Sequence, residues 1–406
     1  MFENYRVFET QLAGKKITFE TGMMCALAGG SCLVRYGETT VLVNATASQK
    51  PREGIDFFPL SVDFEEKLYA VGKIPGSFLK REGRPSEKAV LASRLVDRPI
   101  RPLFPQDMRN DVSVVMTVMS VDPDCQPDII GMLGASFALS ISDIPWNGPI
   151  AGVAVGLVDG EIIVCPDAAQ REKSDLALTV AGTEDKVCMI EAGANEVDDA
   201  TMLKAIEAGF AEIQKLVAFF KEVQAEIGKP KFTFESKEVA PDLFEAVKDF
   251  AIDKIKFALD TDDKVVREGR LAPIVQEIHE HFAEEYPESG AQIDECIYQL
   301  QKFVVRRWLL DEGKRVDGRK LDDVRPLDAR VSLLPRVHGS GMFTRGQTQV
   351  MTIVTLGPVS EAQFLDGIDD EDEKRYMHQY NFPSYSVGET RPSRGPGRRE
   401  IGHGAL

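Results

Sequence analysis

GSCLVRYGETTV, residues 30–41, comes back late in the chain as GSGMFTRGQTQV, residues 339–350. Gly30-Ser31 answers Gly339-Ser340, the turn glycine Gly37 answers Gly346, and Thr39 and Val41 answer Thr348 and Val350, all at one constant spacing. Apolar and β-branched residues flank the turn in the first stretch, a pattern that predicts a β-hairpin. Further matches follow in the same order, with loops of different length between them. Phe58-Pro59 pairs with Phe382-Pro383, Val71-Gly72 with Val387-Gly388, and Gly83-Arg84-Pro85 with Gly397-Arg398-Arg399. Chance likeness between hairpins explains one such match but not an ordered series, so the chain carries an internal repeat.

Around the first copy, residues 12–190 read as short strands punctuated by turns, with helices between them. Residues 153–165 (VAVGLVDGEIIVC) predict a second hairpin, because Asp159-Gly160 suits the positive φ angles of a tight primed turn. Residues 175–190 give a third strand pair. Residues 86–96 predict a helix that starts at Pro85-Ser86, has Glu87 in its first turn and leaves Arg94 and Arg98 towards its end, an order that suits the helix dipole. A long helix is expected from about 198 to 227, where Leu203, Ile206, Phe210, Ile213, Val217, Phe220 and Ile227 recur at helical spacing. Such a helix is best placed on its own sheet. Residues 229–240 read as a linker, and residues 241–310 as all-helical. His279-Glu280-His281 within it belongs to a solvated face, since residues two apart point to different sides of a helix. The expectation is an α+β fold in three parts: a first domain at 1–230, an all-α domain at 231–312, and the opening of a second α+β domain at 313–406.

A length of 406 residues exceeds what one core usually accommodates. At 43% hydrophobic and 28% charged, the composition is that of an ordinary globular protein. No run approaches membrane-spanning length and the first residues begin no signal peptide, so a cytoplasmic location is the expectation. Six scattered cysteines, none in a C-x-x-C pair, point to reduced thiols rather than disulfides or zinc. A net charge of −17 argues against general nucleic-acid binding, which rests on neutralising phosphates. It makes any local basic cluster more informative.

Two clusters stand out. Residues 78–101 carry Lys80, Arg81, Arg84, Lys88, Arg94, Arg98 and Arg101 against only Glu82, Glu87 and Asp97, and a Gly/Pro-bounded loop presents Phe78 beside the first of them. An aromatic ring next to cations is how a single strand is held without its sequence being read. The matching stretch of the second copy has Arg391, Arg394, Arg398 and Arg399 against Glu400, with His403 following. Its glycines let backbone N–H groups approach an anion, and paired guanidinium groups can clamp phosphate oxygens. The acidic run at 366–373 lacks EF-hand spacing and reads as a solvated insertion.

These motifs together resemble the bacterial polynucleotide phosphorylase family: REGRPSEKAVLASRLVDRPIRPLFP, PDIIGMLGASFALSISDIP, RVDGR at 315–319, HGSGMFTRGQTQ, and NFPSYSVGE with GRREIGHG. The resemblance runs from about residue 12 to the end. It implies two ribonuclease PH-like domains, each with a ribosomal-protein-like β-α-β fold, joined by an all-helical domain. It implies a ring-shaped homotrimer that degrades single-stranded RNA processively from the 3′ end, as in mRNA degradation. Inorganic phosphate would be the co-substrate, nucleoside diphosphates the products, and Mg2+ the required ion; an RNA-degradation complex is a possible partner. Phe78-Leu79-Lys80-Arg81 matches a constriction loop usually built from two phenylalanines and two arginines. With Leu79 and Lys80 in place, weaker stacking and weaker forked phosphate contact are expected. Arg84, Arg94 and Arg98 fall on basic positions of the first domain. Arg398 and Arg399 match an arginine pair that holds RNA near the scissile bond, with His403 in the same motif.

The family's D-x5-D-x-K carboxylates and lysine belong to the second domain, and its phosphate-binding serines do too. All are expected beyond Leu406, as are the Mg2+ ligands and the KH and OB-type domains. In the first copy Arg171, Ala177 and Thr179 stand where that pattern would be, and none can do its work. The first domain is therefore expected to be a non-catalytic scaffold and this chain alone to be inactive. The other reading is a stand-alone, non-catalytic RNA-binding or ring-scaffold protein.

Overall fold

The structure, a computed structural model, describes residues 3–406 other than 77, 237, 288, 370 and 372. Ser77 of the basic loop and Asp370 and Asp372 of the acidic run therefore lie outside the described residues. The chain forms two compact units, Met1–Ser236 with Glu361–Leu406, and Lys237–Ser360.

The first unit begins with β1 (Arg6–Leu12), β2 (Lys15–Thr21), β3 (Gly30–Tyr36), β4 (Thr39–Ala47), β5 (Leu60–Glu65), α1 (Glu87–Ile100) and β6 (Val112–Ser120). These strands make one sheet in the order β1-β2-β3-β4-β6-β5. All neighbours are antiparallel except β5 and β6, which run parallel with α1 as their crossover. A second sheet, in the order β10-β9-β7-β8, uses β7 (Ala151–Val158), β8 (Glu161–Val164), β9 (Leu176–Gly182) and β10 (Val187–Ala194). The predicted turn is there: Asp159 and Gly160 both take positive φ, 52° and 83°. The short α3 (Ala168–Lys173) precedes β9, and α4 (Asp199–Ile227) follows β10.

Between the two sheets lies α2 (Pro127–Ile141), every residue of which from Ile129 onward is buried. A helix apolar on all sides belongs inside the core. Small residues let it approach both layers. A Cβ on Gly134 would come 2.6 Å from Val43 and 2.9 Å from Val34, while Met132 lies against Gly152 of β7. Phe137 stacks on Phe19 (centroids 5.0 Å apart, planes at 9°) and meets Phe220 of α4 edge-on. As expected, α4 rests on its own sheet: Gly209 faces Val153, Val155 and Val180. Its buried stripe runs through Ala205, Ile213, Leu216, Val217, Phe220 and Val223, which leaves Leu203 exposed.

Residues 229–236 do not behave as a free linker. The Lys229 and Phe232 N–H groups donate to the Ile141 and Asp143 carbonyls at 3.1 and 2.8 Å, and Phe232 and Phe234 pack on the core. The last 46 residues return to this unit through β14 (Gln363–Phe364), β15 (Glu373–Lys374) and α8 (Arg398–Ala405).

The second unit holds α5 (Pro241–Leu259), α6 (Lys264–Phe282) and α7 (Gly290–Asp311) around Val247, Ile255, Ile278, Cys296, Leu300 and Trp308. His279 pairs with Asp294 at 2.7 Å, while His281 stacks on Phe250. The two rings point apart, as helix geometry requires. An antiparallel sheet of β11 (Leu327–Val331), β12 (Gly339–Arg345) and β13 (Thr348–Val354) completes it. These units divide the chain differently from the boundaries expected at 230 and 312. Residues 313–360 stay with the helices, and 361–406 pack on the first unit because α8 finds its contact surface there. Among the described residues no helix is long and apolar enough to cross a membrane.

Candidate nucleic-acid interface

The repeat sets the local geometry of both basic clusters. Leu68–Val71 and Ser384–Val387 are each a 3₁₀ turn, closed by Gly72 and Gly388 at φ 70° and 75°. A side chain is disfavoured at such an angle, which explains the glycine in both copies. A helix follows each turn, but not in the register that pairs Gly83 with Gly397. Helix α1 starts at Glu87 behind Ser86, whereas α8 starts at Arg398 directly behind Gly397. Pro85 disfavours a helical Arg84, and in the second copy Arg399 replaces that proline and lifts the restriction.

Ser86 ties the first cluster together. Its hydroxyl oxygen accepts the Ala89 N–H at 3.0 Å, capping α1, and its O–H donates to Glu66 at 2.7 Å. Burial raises the Glu66 carboxyl above its usual range, and the Ser86 hydrogen bond partly opposes this. At the base of the loop Glu82 accepts the Leu68 N–H at 3.1 Å, and backbone N–H donors hold its carboxyl below the usual range. The tip is open. Phe78 is 99% exposed, Leu79 nearly as much, and Lys80 takes a left-handed φ of 49°. A fully exposed phenylalanine among cations is an informative feature, since it forgoes burial worth roughly 2 kcal/mol.

Helices α1 and α8 meet at Gly402. A Cβ there would lie 2.4 Å from Cδ and 2.8 Å from Nε of Arg94, so only a glycine lets α8 rest on the Arg94 stem. Arg398 forms an ion pair with Asp63 and donates to the Val62 carbonyl at 3.3 Å, docking the start of α8 on β5. Arg399 is exposed beside it. His403 sits edge-on to Tyr380, centroids 4.6 Å apart. The structure thus brings Arg94 to the α1–α8 contact, with Arg398 at the start of α8 turned to β5 and His403 turned to Tyr380, while Phe78, Lys80, Arg81 and Arg84 lie on the loop leading into α1. Arg98 is directed elsewhere: it pairs with Glu191 on β10 and donates to the Met189 sulfur at 3.3 Å. That makes it a tie between α1 and the second sheet.

Arg171, where the repeat would place a carboxylate, serves as a clamp, donating to the Pro166 and Pro123 carbonyls. Sequence reasoning missed Asp63 and Glu66, single acids within a strand and its exit. It also missed how the acidic run is anchored: its carboxylates are exposed to solvent, yet Asp369 and Glu371 pair with Lys88 at 2.9 and 3.1 Å, and Ile368 between them and Asp366 is buried.

A six-stranded sheet with a β-α-β crossover, carrying cations at the start of two repeated helices, defines an α+β protein. The chain belongs to the 3′ exoribonuclease family, whose first-domain model matches residues 13–145 and 323–406 and whose second-domain model matches residues 148–212. Residues 242–320 match the model described as polyribonucleotide nucleotidyltransferase, RNA binding domain. The polyribonucleotide nucleotidyltransferase of Ruminiclostridium cellulolyticum is 58% identical over 99% of this chain and 57% of its own length. That of Heliobacterium modesticaldum is 56% identical over the same shares. The chain thus spans a little over half the length of these curated relatives. The crystal structure of rice (Oryza sativa) Rrp46 aligns with a TM-score of 0.42 and 14% identity, over 55% of this chain and 96% of that one.

Proposed function

We propose that this chain supplies the RNA-holding surface of a polyribonucleotide nucleotidyltransferase that degrades single-stranded RNA from the 3′ end. Inorganic phosphate is the attacking nucleophile and nucleoside diphosphates are released. The observation that carries this reading is the docking of α8 on α1 at Gly402 and Arg94, with Arg398 held at the start of α8 by Asp63 and Arg399 open to solvent beside it. Arg398 is positioned by Asp63, leaving Arg399 as the side chain placed to grip a backbone phosphate, and the Phe78 loop as the place where bases stack. The first α+β unit acts as scaffold, since Arg171 is occupied as a clamp.

Magnesium belongs to the same reading. Among the described residues no group of three or more His, Cys, Asp or Glu side chains is placed to hold a metal ion. We place its ligands, with the catalytic carboxylates and lysine, in the length that the relatives have and this chain does not cover. A homotrimeric ring in the cytoplasm, serving mRNA degradation with or without a larger complex, completes the proposal. The test is Arg399→Ala in a protein extended to the relatives' length. Phosphate-dependent release of ADP from poly(A) should fall at least ~10-fold, the equivalent of ~1.4 kcal/mol of transition-state stabilisation. Unaltered turnover would remove the arginine from the site.

A further inference from the structure

The base of the Phe78 loop offers a set of anion donors that the roles assigned above do not use. The Gly76 N–H donates to Asp366 Oδ2 at 2.8 Å, and Lys73 Nζ donates to the Gly367 carbonyl at 3.4 Å. Lys88 Nζ, in the first turn of α1, meets Asp369 Oδ2 at 2.9 Å and Glu371 Oε2 at 3.1 Å. Burial by itself would lower the Lys88 ammonium, yet the two carboxylates hold it above its ordinary value. The acidic turn is delivered as a unit. The two-residue ladder of β14 and β15 closes its ends, Ile368 is only 5% exposed within the core, and Lys374 pairs with Glu87 at 2.6 Å.

A backbone amide and two ammonium groups spaced along a loop into a helix start are the donors that a chain of phosphates selects. Carboxylates fill two of those places here, at Gly76 and Lys88, and the Gly367 carbonyl fills the third, at Lys73. The contacts are solvent-open, with the Lys88 and Glu371 side chains 48% and 68% exposed, so each is worth at most about 1 kcal/mol and can exchange for another anion. We propose that Gly76, Lys73 and Lys88 form a phosphate-binding cradle for the backbone of single-stranded RNA, and that the acidic turn 366–371 occupies it as a built-in competitor. The cradle flanks the Phe78 loop in the chain, with Gly76 two residues before Phe78 and Lys88 four residues after Arg84. It therefore extends the RNA path proposed above, and the inference rests on that reading.

The experiment measures binding of a labelled oligo(A) to the 406-residue chain across a salt series. Asp369→Asn with Glu371→Gln should tighten binding about fivefold at low salt and steepen the salt slope by about 0.7, the signature of one more phosphate neutralised. Adding Lys88→Met to that pair should abolish the added slope, which a general loss of negative charge would not. An unchanged slope in the neutralised pair, or a gain that survives Lys88→Met, would overturn the cradle. Should the double variant lose its circular dichroism, Glu371→Gln alone serves, because that exposed carboxylate supports nothing else. A smaller steepening is then expected, and none would again overturn the proposal. A wild-type chain that fails to bind oligo(A) even at low salt would remove the RNA reading and the cradle with it. Binding that is indifferent to the acids would remove the cradle alone.

Discussion

The hairpins β3–β4 and β12–β13 have nearly the same local design and opposite fates. Both turn on a glycine at positive φ, Gly37 at 57° and Gly346 at 60°. Their registers agree residue for residue, with Val34 opposite Val41 in one and Phe343 opposite Val350 in the other. Yet Val34 and Val41 are fully buried, whereas Phe343 and Val350 are each 48% exposed. The difference comes from what lies on top. Helix α2 presses Gly134 onto Val34 and Val43, whereas among the described residues of its own unit no helix packs over β12–β13 in the same way. Local sequence writes a hairpin; a long-range partner decides whether it becomes core.

Phe137→Ala should have the largest effect on this comparison. Its ring joins α2 to Phe19 of β2 and Phe220 of α4, so truncation should cost the first unit roughly 3–5 kcal/mol in denaturant unfolding. A loss below about 1 kcal/mol would mean that α2 is not what seals the sheet. A matched pair comes next. Val41→Ala should cost roughly 2–3 kcal/mol through lost burial and a residual cavity, whereas Val350→Ala should stay within about 0.5 kcal/mol. Equal costs would break the comparison, because they would show the β12–β13 face to be covered in solution.

What the sequence disclosed follows the same division. Hairpins and α4 were legible because their signals are local: the glycine turns, the Asp159-Gly160 pair, and the apolar period from Leu203 to Ile227. Helix α2 gave no period to read, since Ile129 to Ile141 is buried on every side. The return of residues 361–406 to the first unit rests on contacts such as Gly402 on Arg94, between positions more than 300 residues apart, which no window reveals. The candidate site was half visible. Its cations were found by charge and by the repeat. Their partners were not, because Asp63, Glu191 and Asp369 become partners only once β5, β10 and the acidic turn are in place.

The last expected effect concerns how α2 is held over β3–β4. Lys231 donates to the Leu139, Ser140 and Ser142 carbonyls at 3.0, 3.2 and 2.6 Å, satisfying the end of the helix. Burial pulls its ammonium down from 10.5 to about 8. A value lowered in the folded chain means that the unfolded chain binds the proton more tightly. The charged lysine therefore weighs against the fold below about 8, and stability rises as pH climbs from there towards 10.5. In Lys231→Met this rise should vanish while the loss of the carbonyl partners costs about 1 kcal/mol. The gap in unfolding free energy between wild type and variant should thus widen from pH 8 to pH 10. Parallel curves would show that Lys231 stays hydrated, and that α2 is held over its hairpin by apolar packing alone.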